Sequence, residues 1–516
     1  MKINPLTAID FYKSGHPEQY PPGTRFVCSN FTPRSAAHAK VSALFDNKAV
    51  WFGLQGFVKW FLIDTWNREF FEQPKARVVA AYKRRMDTSL GEGSVPVHRI
   101  EALHDLGYLP LLIKALPEGS RVNMKVPFLT VQNTHPDFFW LVNYIETVLS
   151  NEVWKPTTVA TIAYEYRRQL DHYVALTGSS PELAAWQCHD FSMRGMSGVH
   201  DASSASAGHL LSNFGTDTVS AIDFLENYYG ADANLELIGG SVPATEHAVM
   251  CAGGADDERE TIRRIIQDVY PGGIVSVVSD TWDFWNVITE TARSLMREIL
   301  NRTPNALGQA KVVFRPDSGD PVRILCGYAE DELQVSWSGQ FTVIATGETI
   351  SASERKGAVQ CLYDIFGGTV TDKGYKTLNE RVGLIYGDSI TLERQCEILQ
   401  RLMTKGFSAG NVVFGIGSYT YQLITRDTLG MAMKATYAVV DGVGRELFKD
   451  PATDTGGVKK SAKGLLRVEK EGSDFVLYDQ QDFAQEAGGA LEDVFYNGRL
   501  MRDMTLAQVR ANLAAS

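Results

Sequence analysis

The chain has 516 residues and a formal net charge of −11, with 44% hydrophobic and 22% charged residues and a mean hydropathy of −0.14. No apolar run approaches the ~18 residues needed to span a bilayer, and the acidic balance disfavours a broad nucleic-acid surface. A polyanion site must therefore be a local concentration of base, and the length suits one large domain with a smaller one attached.

The N-terminus "MKINPLTAID" has neither an apolar h-region nor a small-residue cleavage pattern, so the expected compartment is the cytoplasm. Cysteines 28, 188, 251, 326, 361 and 396 form no C-x-x-C pair and are expected to be buried thiols rather than zinc ligands or disulfides. Residues 1–150 read as the N-terminal part of an α+β domain. "AVWFGLQGFVKWFLIDTW" is helix-like, and "LPLLIKALPEGSRVNMKVPFLTVQ" is strand-like with a Pro-Glu-Gly turn at 117–119. Two separate helices are expected next, in "HPDFFWLVNYIETVLS" and "TTVATIAYEYRRQLDHYVAL".

Residues 151–425 bring a repeated unit, a short apolar run ending in Gly, Ser, Asp or His before a helical pattern. The runs lie in "AAWQCHDFSMRG", "HLLSNFGTDT", "LELIGGSVPATEH", "IVSVVSDTWD", "KVVFRPDSGD", "GLIYGDSI" and "NVVFGIGS". Repetition of this kind predicts an α/β fold with parallel strands closed into an irregular barrel, an open doubly wound sheet being the rival. The β-like insertion "LQVSWSGQFTVIATGET" at 333–349 interrupts it, and residues 426–516, with "MKATYAVV" and "GSDFVLYDQ" around the loop-like "DPATDTGGVKKSAKG", are assigned to completing the α+β domain.

The strand ends set His189–Arg194, Asp217, His247, Ser276, Asp280, Arg315, Asp317, Asp388 and Gly415–Ser418 around one predicted mouth. Each alone has a plain alternative. Asp217, Asp280 and Asp388 precede helices and suit N-caps, and a lone histidine is commonly structural. Together, carboxylates, guanidinium groups and glycines suit a phosphorylated polyol. "FGIGSYT" can offer backbone N–H groups to a phosphate, but it lacks the third glycine of a dinucleotide fingerprint.

The segments "DFYKSGHPEQYPP", "NYIETVLSNEVWKPTTVAT", "HDFSMRG", "NFGTDT", "SVPATEH", "VSVVSD", "RPDSGDP", "KGYKTLNERVGLIYGD", "TRD" and "FKDPATD" run almost from end to end. In these segments the chain closely resembles the nicotinamide phosphoribosyltransferase family. The resemblance implies a barrel of the type II phosphoribosyltransferase kind, with nicotinamide and phosphoribosyl pyrophosphate as substrates and Mg²⁺ as cofactor. It also implies ATP as co-substrate through a phosphohistidine, and a homodimer with shared active sites. By resemblance, Asp317 and Asp388, after Gly387, face the ribose. Asp280 lies on the metal–diphosphate side, the Mg²⁺ being carried mainly by the diphosphate, and Arg194 and His247 meet the pyrophosphate. Arg315 and Ser276 fall near the base's amide, Asp217 accepts from the amide N–H, and Phe191 with the partner-side Tyr12 clamps the ring. His247 matches the phosphorylated histidine, while the adjacent Glu246 reads as the start of the next helix.

The 5′-phosphate is expected near Gly415, Gly417 and Ser418, with Arg426 and Lys434 lent by the partner subunit. Arg34, Lys449 and Lys459 match partner-side groups for the pyrophosphate or nucleotide. Ile416, Ser418 and Tyr419 depart from the family's glycine-rich triplet, Ser389 stands for a common glycine, and Ser192-Met193 replaces the usual pair. The alternatives are a nicotinate phosphoribosyltransferase, disfavoured by Asp217, and a non-catalytic signalling or ligand-binding protein of the same fold.

Overall fold

The apolar runs after residue 185 lie side by side as parallel strands in the computed structural model, which describes residues 3–387, 389–448 and 462–516. Asp388, Lys449 and Lys459 lie outside the described residues. Six of the seven expected units form regular strands, in the spatial order Gly215–Thr216, Cys188–Asp190, Val412–Ile416, Val382–Tyr386, Lys311–Arg315 and Ile274–Val278. Their residues are mostly buried, as parallel strands covered on both faces must be.

The third unit supplies the closure without forming a strand. Gly240 bridges to Gly215 and Ala244 to Ser276, both in parallel sense. Backbone bonds Thr216 N–H to Gly240 O (3.0 Å), Gly240 N–H to Phe214 O (2.8 Å), Thr245 N–H to Ser276 O (3.0 Å) and Ser276 N–H to Pro243 O (2.8 Å) span the gap. The seven units thus follow one another round a ring in chain order, with one irregular station. The open doubly wound alternative is excluded, because the last strand, Val412–Ile416, returns to pair with the first.

The segment 333–349 forms a small antiparallel sheet of Leu333–Val335, Phe341–Val343 and Thr349–Ile350. Glu332 anchors it to the barrel through Arg401 (2.9 and 3.0 Å) and Arg323 (2.6 Å). The Arg401 hydrogen bonds hold its carboxyl well below the usual carboxylate range.

A second sheet is antiparallel and is built from both ends of the chain. Its order is Val443–Glu446, Ala432–Val440, Thr24–Thr32, Leu129–Asn133, Leu111–Ala115, Glu492–Tyr496 and Arg499–Leu500. Asn30 pairs with Lys434, so residues four hundred positions apart become neighbours. An aromatic core backs this sheet, with Trp51 stacked on Phe128 at 4.5 Å between centroids.

Two expectations need correction. The two helices predicted for 135–176 are joined, since the main helix runs Glu146–Thr177 straight through Pro156. Proline normally breaks a helix interior. Here the helix continues, with two glycines packed closely on the proline: a Cβ at Gly208 would sit 2.6 Å from the Pro156 carbonyl oxygen, and one at Gly53 2.7 Å from its ring. Cys251 is exposed and Cys396 half-buried, because they lie on outward helix faces, whereas the other four thiols are buried. Among the described residues no helix is long and apolar enough to cross a membrane.

Candidate active site

The C-terminal ends of the parallel strands carry most of the predicted set. Asp217 follows the Gly215–Thr216 strand and faces His189 on the neighbouring strand, with His189 Nε2 2.9 Å from Asp217 Oδ1. Gly215 permits that approach, since a Cβ there would lie 2.8 Å from His189 Nδ1. The Ser241 hydroxyl donates to the same carboxylate oxygen at 2.6 Å. Burial alone would raise the Asp217 carboxyl, but the His189 ring and the Ser241 hydroxyl outweigh it and hold the group below its ordinary range. The helix after Asp217 has Thr218 at its N-cap, so the capping reading of Asp217 does not hold. Phe191, half-buried, leans on the His189 ring at 4.5 Å.

Beside it lies a group of buried polar atoms with no partner among the described residues: Ser276 Oγ, Arg315 Nε and Asp280 Oδ1. Leaving such atoms unpaired costs about 1–3 kcal/mol each. Their concentration at the ends of two adjacent strands marks a place built for a polar ligand. Asp280 is not a cap either, as Asp283 caps the following helix through the Asn286 N–H. Its Oδ2 instead accepts from the Asp317 backbone N–H (2.8 Å) and the Ser318 hydroxyl (2.6 Å). Arg315 donates to the Thr245 carbonyl at 2.9 Å, tying it to the loop that leads to His247.

His247 opens the helix His247–Gly253, with Glu246 at its N-cap. Its Nε2 lies 3.7 Å from Asp317 Oδ2 and 3.9 Å from Asp280 Oδ1, while Nδ1 is 3.1 Å from the Thr281 hydroxyl. The ring is half exposed. Gly387 completes this side, because a Cβ there would press on Asp317 and Arg315 at 3.2–3.4 Å.

Across the mouth, Gly415 allows strands to close, since a Cβ would fall 2.4 Å from the Tyr386 carbonyl oxygen. Gly417 precedes the short helix Ser418–Tyr421. Gly195 lies directly on Ser418, where a Cβ would meet its hydroxyl at 2.1 Å, so the turn carrying Arg194 rests on this helix start. Ser389 adopts φ +57°, a left-handed conformation that glycine takes more readily than serine.

Tyr12, Arg34, Arg426 and Lys434 lie on the antiparallel sheet and the segments beside it, not at the barrel strand ends. Tyr12 is exposed, donates to Asp10 at 3.2 Å and senses the charge of Arg426. Arg34 Nε donates to the Gly430 carbonyl at 2.6 Å, and Met431 N–H bonds back to Arg426 O at 3.0 Å. Lys434 is exposed on the strand opposite Asn30. These four thus lie together around the 426–434 segment, while the strand-end set gathers at the barrel mouth.

A family model described as the nicotinate phosphoribosyltransferase (NAPRTase) family matches residues 186–498. Nicotinamide phosphoribosyltransferase of Acinetobacter baylyi is 60% identical over 513 residues, covering 99% of this chain and 97% of its own. That of Xanthomonas campestris pv. campestris is 33% identical over 524 residues, covering 99% and 98%. The chain belongs to the nicotinate phosphoribosyltransferase family, alongside its nicotinamide phosphoribosyltransferases. It is an enzyme of the pentosyltransferase class. The fold is shared with nicotinate-nucleotide pyrophosphorylase from Pyrococcus furiosus (TM-score 0.55, 12% identity, 99% of this chain and 95% of that one). It is also shared with human nicotinic acid phosphoribosyltransferase (TM-score 0.51, 16% identity, 98% and 93%).

The carboxylates of the mouth would suit a Mg²⁺ ion. Mg²⁺ is commonly held by one or two carboxylates plus substrate phosphates. The unpartnered Asp280 Oδ1 and the nearby Asp317 supply such a pair, and the described residues contain no cluster of three or more metal-ligating side chains. Sequence reasoning passed over Thr218, Ser241, Thr281 and Ser318, which bond to the predicted residues or their loops. Their partners lie 24 to 38 positions away, so no local pattern signals them.

Proposed function

We propose that the enzyme transfers the phosphoribosyl group of phosphoribosyl pyrophosphate to the ring nitrogen of nicotinamide, releasing pyrophosphate, as a step of NAD salvage in the cytoplasm. The C1–oxygen bond to the diphosphate breaks, its electron pair leaves with pyrophosphate, and the pyridine nitrogen closes on the cationic ribose carbon. The observation that carries this reading is Asp217, held ionised by His189 and Ser241 beside the Phe191 ring. An amide N–H can donate to that carboxylate, whereas a nicotinate carboxylate would meet like charge. A nicotinate phosphoribosyltransferase is the alternative this disfavours.

Asp317, with Asp388 by resemblance, faces the ribose and favours the positive carbon in the transition state. Arg315 and Ser276 bring unpaired polar atoms to the amide, and Arg194 meets the pyrophosphate. Bound Mg²⁺ would neutralise the departing diphosphate. Gly415, Gly417 and Ser418 receive the 5′-phosphate. Tyr12, Arg34, Arg426 and Lys434, with Lys449 and Lys459 by resemblance, act on the partner's site in a homodimer. The γ-phosphoryl group of ATP passes to a ring nitrogen of His247 as ADP leaves, and water later removes it as phosphate; the ring is half exposed and faces Asp280 and Asp317. The added charge tightens the hold on phosphoribosyl pyrophosphate and its metal.

The test is product analysis with nicotinamide, phosphoribosyl pyrophosphate and Mg²⁺, with and without ATP, against nicotinate in parallel. Nicotinamide mononucleotide is the expected product, and preferential turnover of nicotinate would overturn the assignment. In His247→Ala, mononucleotide formation should persist at a reduced rate while ATP stimulation and ATPase activity vanish.

A further inference from the structure

A fully buried carboxylate lies beneath the mouth and is used by no step above. Asp190 ends the Cys188–Asp190 strand with no exposed surface. Its Oδ1 accepts from the Ser192 N–H at 2.9 Å, and its Oδ2 from the hydroxyls of Thr216 (3.1 Å) and Thr218 (2.9 Å). Its own carbonyl accepts from the Asp217 N–H at 2.9 Å. The Thr216 hydroxyl receives the Thr218 N–H at 2.9 Å, so the two threonines are also tied to each other.

This pattern has a directional consequence. Asp217 is bracketed by two residues that are both pinned inward onto one carboxylate, which turns its own side chain the other way, toward His189 and Ser241. The same carboxylate fixes the first turn after Phe191, the turn that leads to Arg194. One buried charge therefore sets two loops, one reading the amide and the other supporting the ring. A charged acceptor strengthens each of these bonds relative to a neutral one, and a buried charge with its donors removed is costly, so the loops have a single favoured arrangement.

We propose that Asp190 is a positioning residue for base recognition, through which nicotinamide affinity and amide-over-acid selectivity depend on a carboxylate that touches no substrate. This rests on the proposed selector role of Asp217. It predicts that an uncharged, equally sized side chain at 190 loosens both loops while leaving the reacting groups in place.

The experiment compares Asp190→Asn, Thr218→Val and Asp217→Asn, measuring kcat and KM separately for nicotinamide and nicotinate, together with melting temperature. Asp190→Asn should lower the nicotinamide-to-nicotinate ratio of kcat/KM severalfold, up to the loss seen in Asp217→Asn, mainly through KM for nicotinamide. Thr218→Val, which removes one hydroxyl at constant volume, should lower it severalfold in the same direction. A structural role alone would lower the melting temperature and active fraction but leave the ratio intact. If Asp217→Asn relaxes the ratio while Asp190→Asn and Thr218→Val do not, the proposal is overturned and the selector reading stands. If Asp217→Asn itself leaves the ratio unchanged, the selector reading fails and takes this proposal with it. Should Asp190→Asn not fold, Thr218→Val decides alone by the same criterion.

Discussion

The barrel mouth and the patch around residues 426–434 carry opposite chemistry within one chain. The mouth gathers Asp217, Asp280 and Asp317, and beside them sit buried polar atoms that no neighbour satisfies. The patch gathers Arg34, Arg426 and Lys434 with Tyr12. Phosphoribosyl pyrophosphate needs both signs, acid at its sugar carbon and base at its phosphates, and the patch adds base to the Arg194 and Arg315 already at the mouth. The difference teaches that an acidic protein of charge −11 can still concentrate base locally, as a polyanion site requires.

The mouth is where substitution should be most damaging. Asp317→Asn keeps volume and removes a charge proposed to face the ribose, and should lower kcat about 10³-fold, in the range of other preorganised electrostatic groups. Steady-state kinetics with saturating donor check this, and a loss confined to KM would place Asp317 outside the transition state. The patch should act through affinity instead. Arg426→Ala should raise KM for phosphoribosyl pyrophosphate about 10- to 100-fold with a smaller change in kcat. Mixing Asp317→Asn with Arg426→Ala chains then breaks or sharpens the contrast directly. In a two-fold symmetric dimer with shared sites, random exchange restores up to about a quarter of the wild-type sites. No recovery after verified subunit exchange would mean that patch and mouth serve the same chain.

Within the mouth, selectivity should be separable from chemistry. Asp217→Asn should shrink the preference for amide over acid about 10-fold, because the mutant side chain no longer repels a carboxylate. Competition between nicotinamide and nicotinate reads this ratio, and an unchanged value would reassign the amide contact to Ser276 and Arg315.

Much of this arrangement is legible in sequence because parallel strands buried on both faces read as short apolar runs whose polar ends must converge. That logic located six barrel strands and the β insertion at 333–349. It could not show that the third unit would close the ring through single bridges at Gly240 and Ala244, since isolated pairing leaves no periodicity. Nor could it see through Pro156, which lies inside the continuous helix Glu146–Thr177 and packs against glycines about 50 and 100 residues away. The antiparallel sheet depends on pairings such as Asn30 with Lys434, and neither strand carries a mark naming the other. For the site, strand-end residues announce themselves by chemical type, whereas Asp190 looks like one more acid until its donors are placed around it.

The smallest expected effect concerns an acid just behind the mouth. Glu258 opens the helix that follows His247–Gly253, and its Oε1 is buried without a partner among the described residues. Burial and the nearby charge of Asp283 push its carboxyl up to about 7. Asp217, by contrast, has donors that keep it charged. A folded-state pKa above the unfolded one means that Glu258 favours folding most below the ordinary carboxylate range, and that this contribution is lost as pH rises through about 7. Glu258→Gln removes the penalty of ionising there. It should stabilise the protein by about 1 kcal/mol at pH 8, after allowing for partial solvent access, and by little at pH 5. Melting temperatures at the two pH values decide it. Equal shifts at both would show that Glu258 finds a donor in solution, and that poverty of donors is no feature of the barrel behind its mouth.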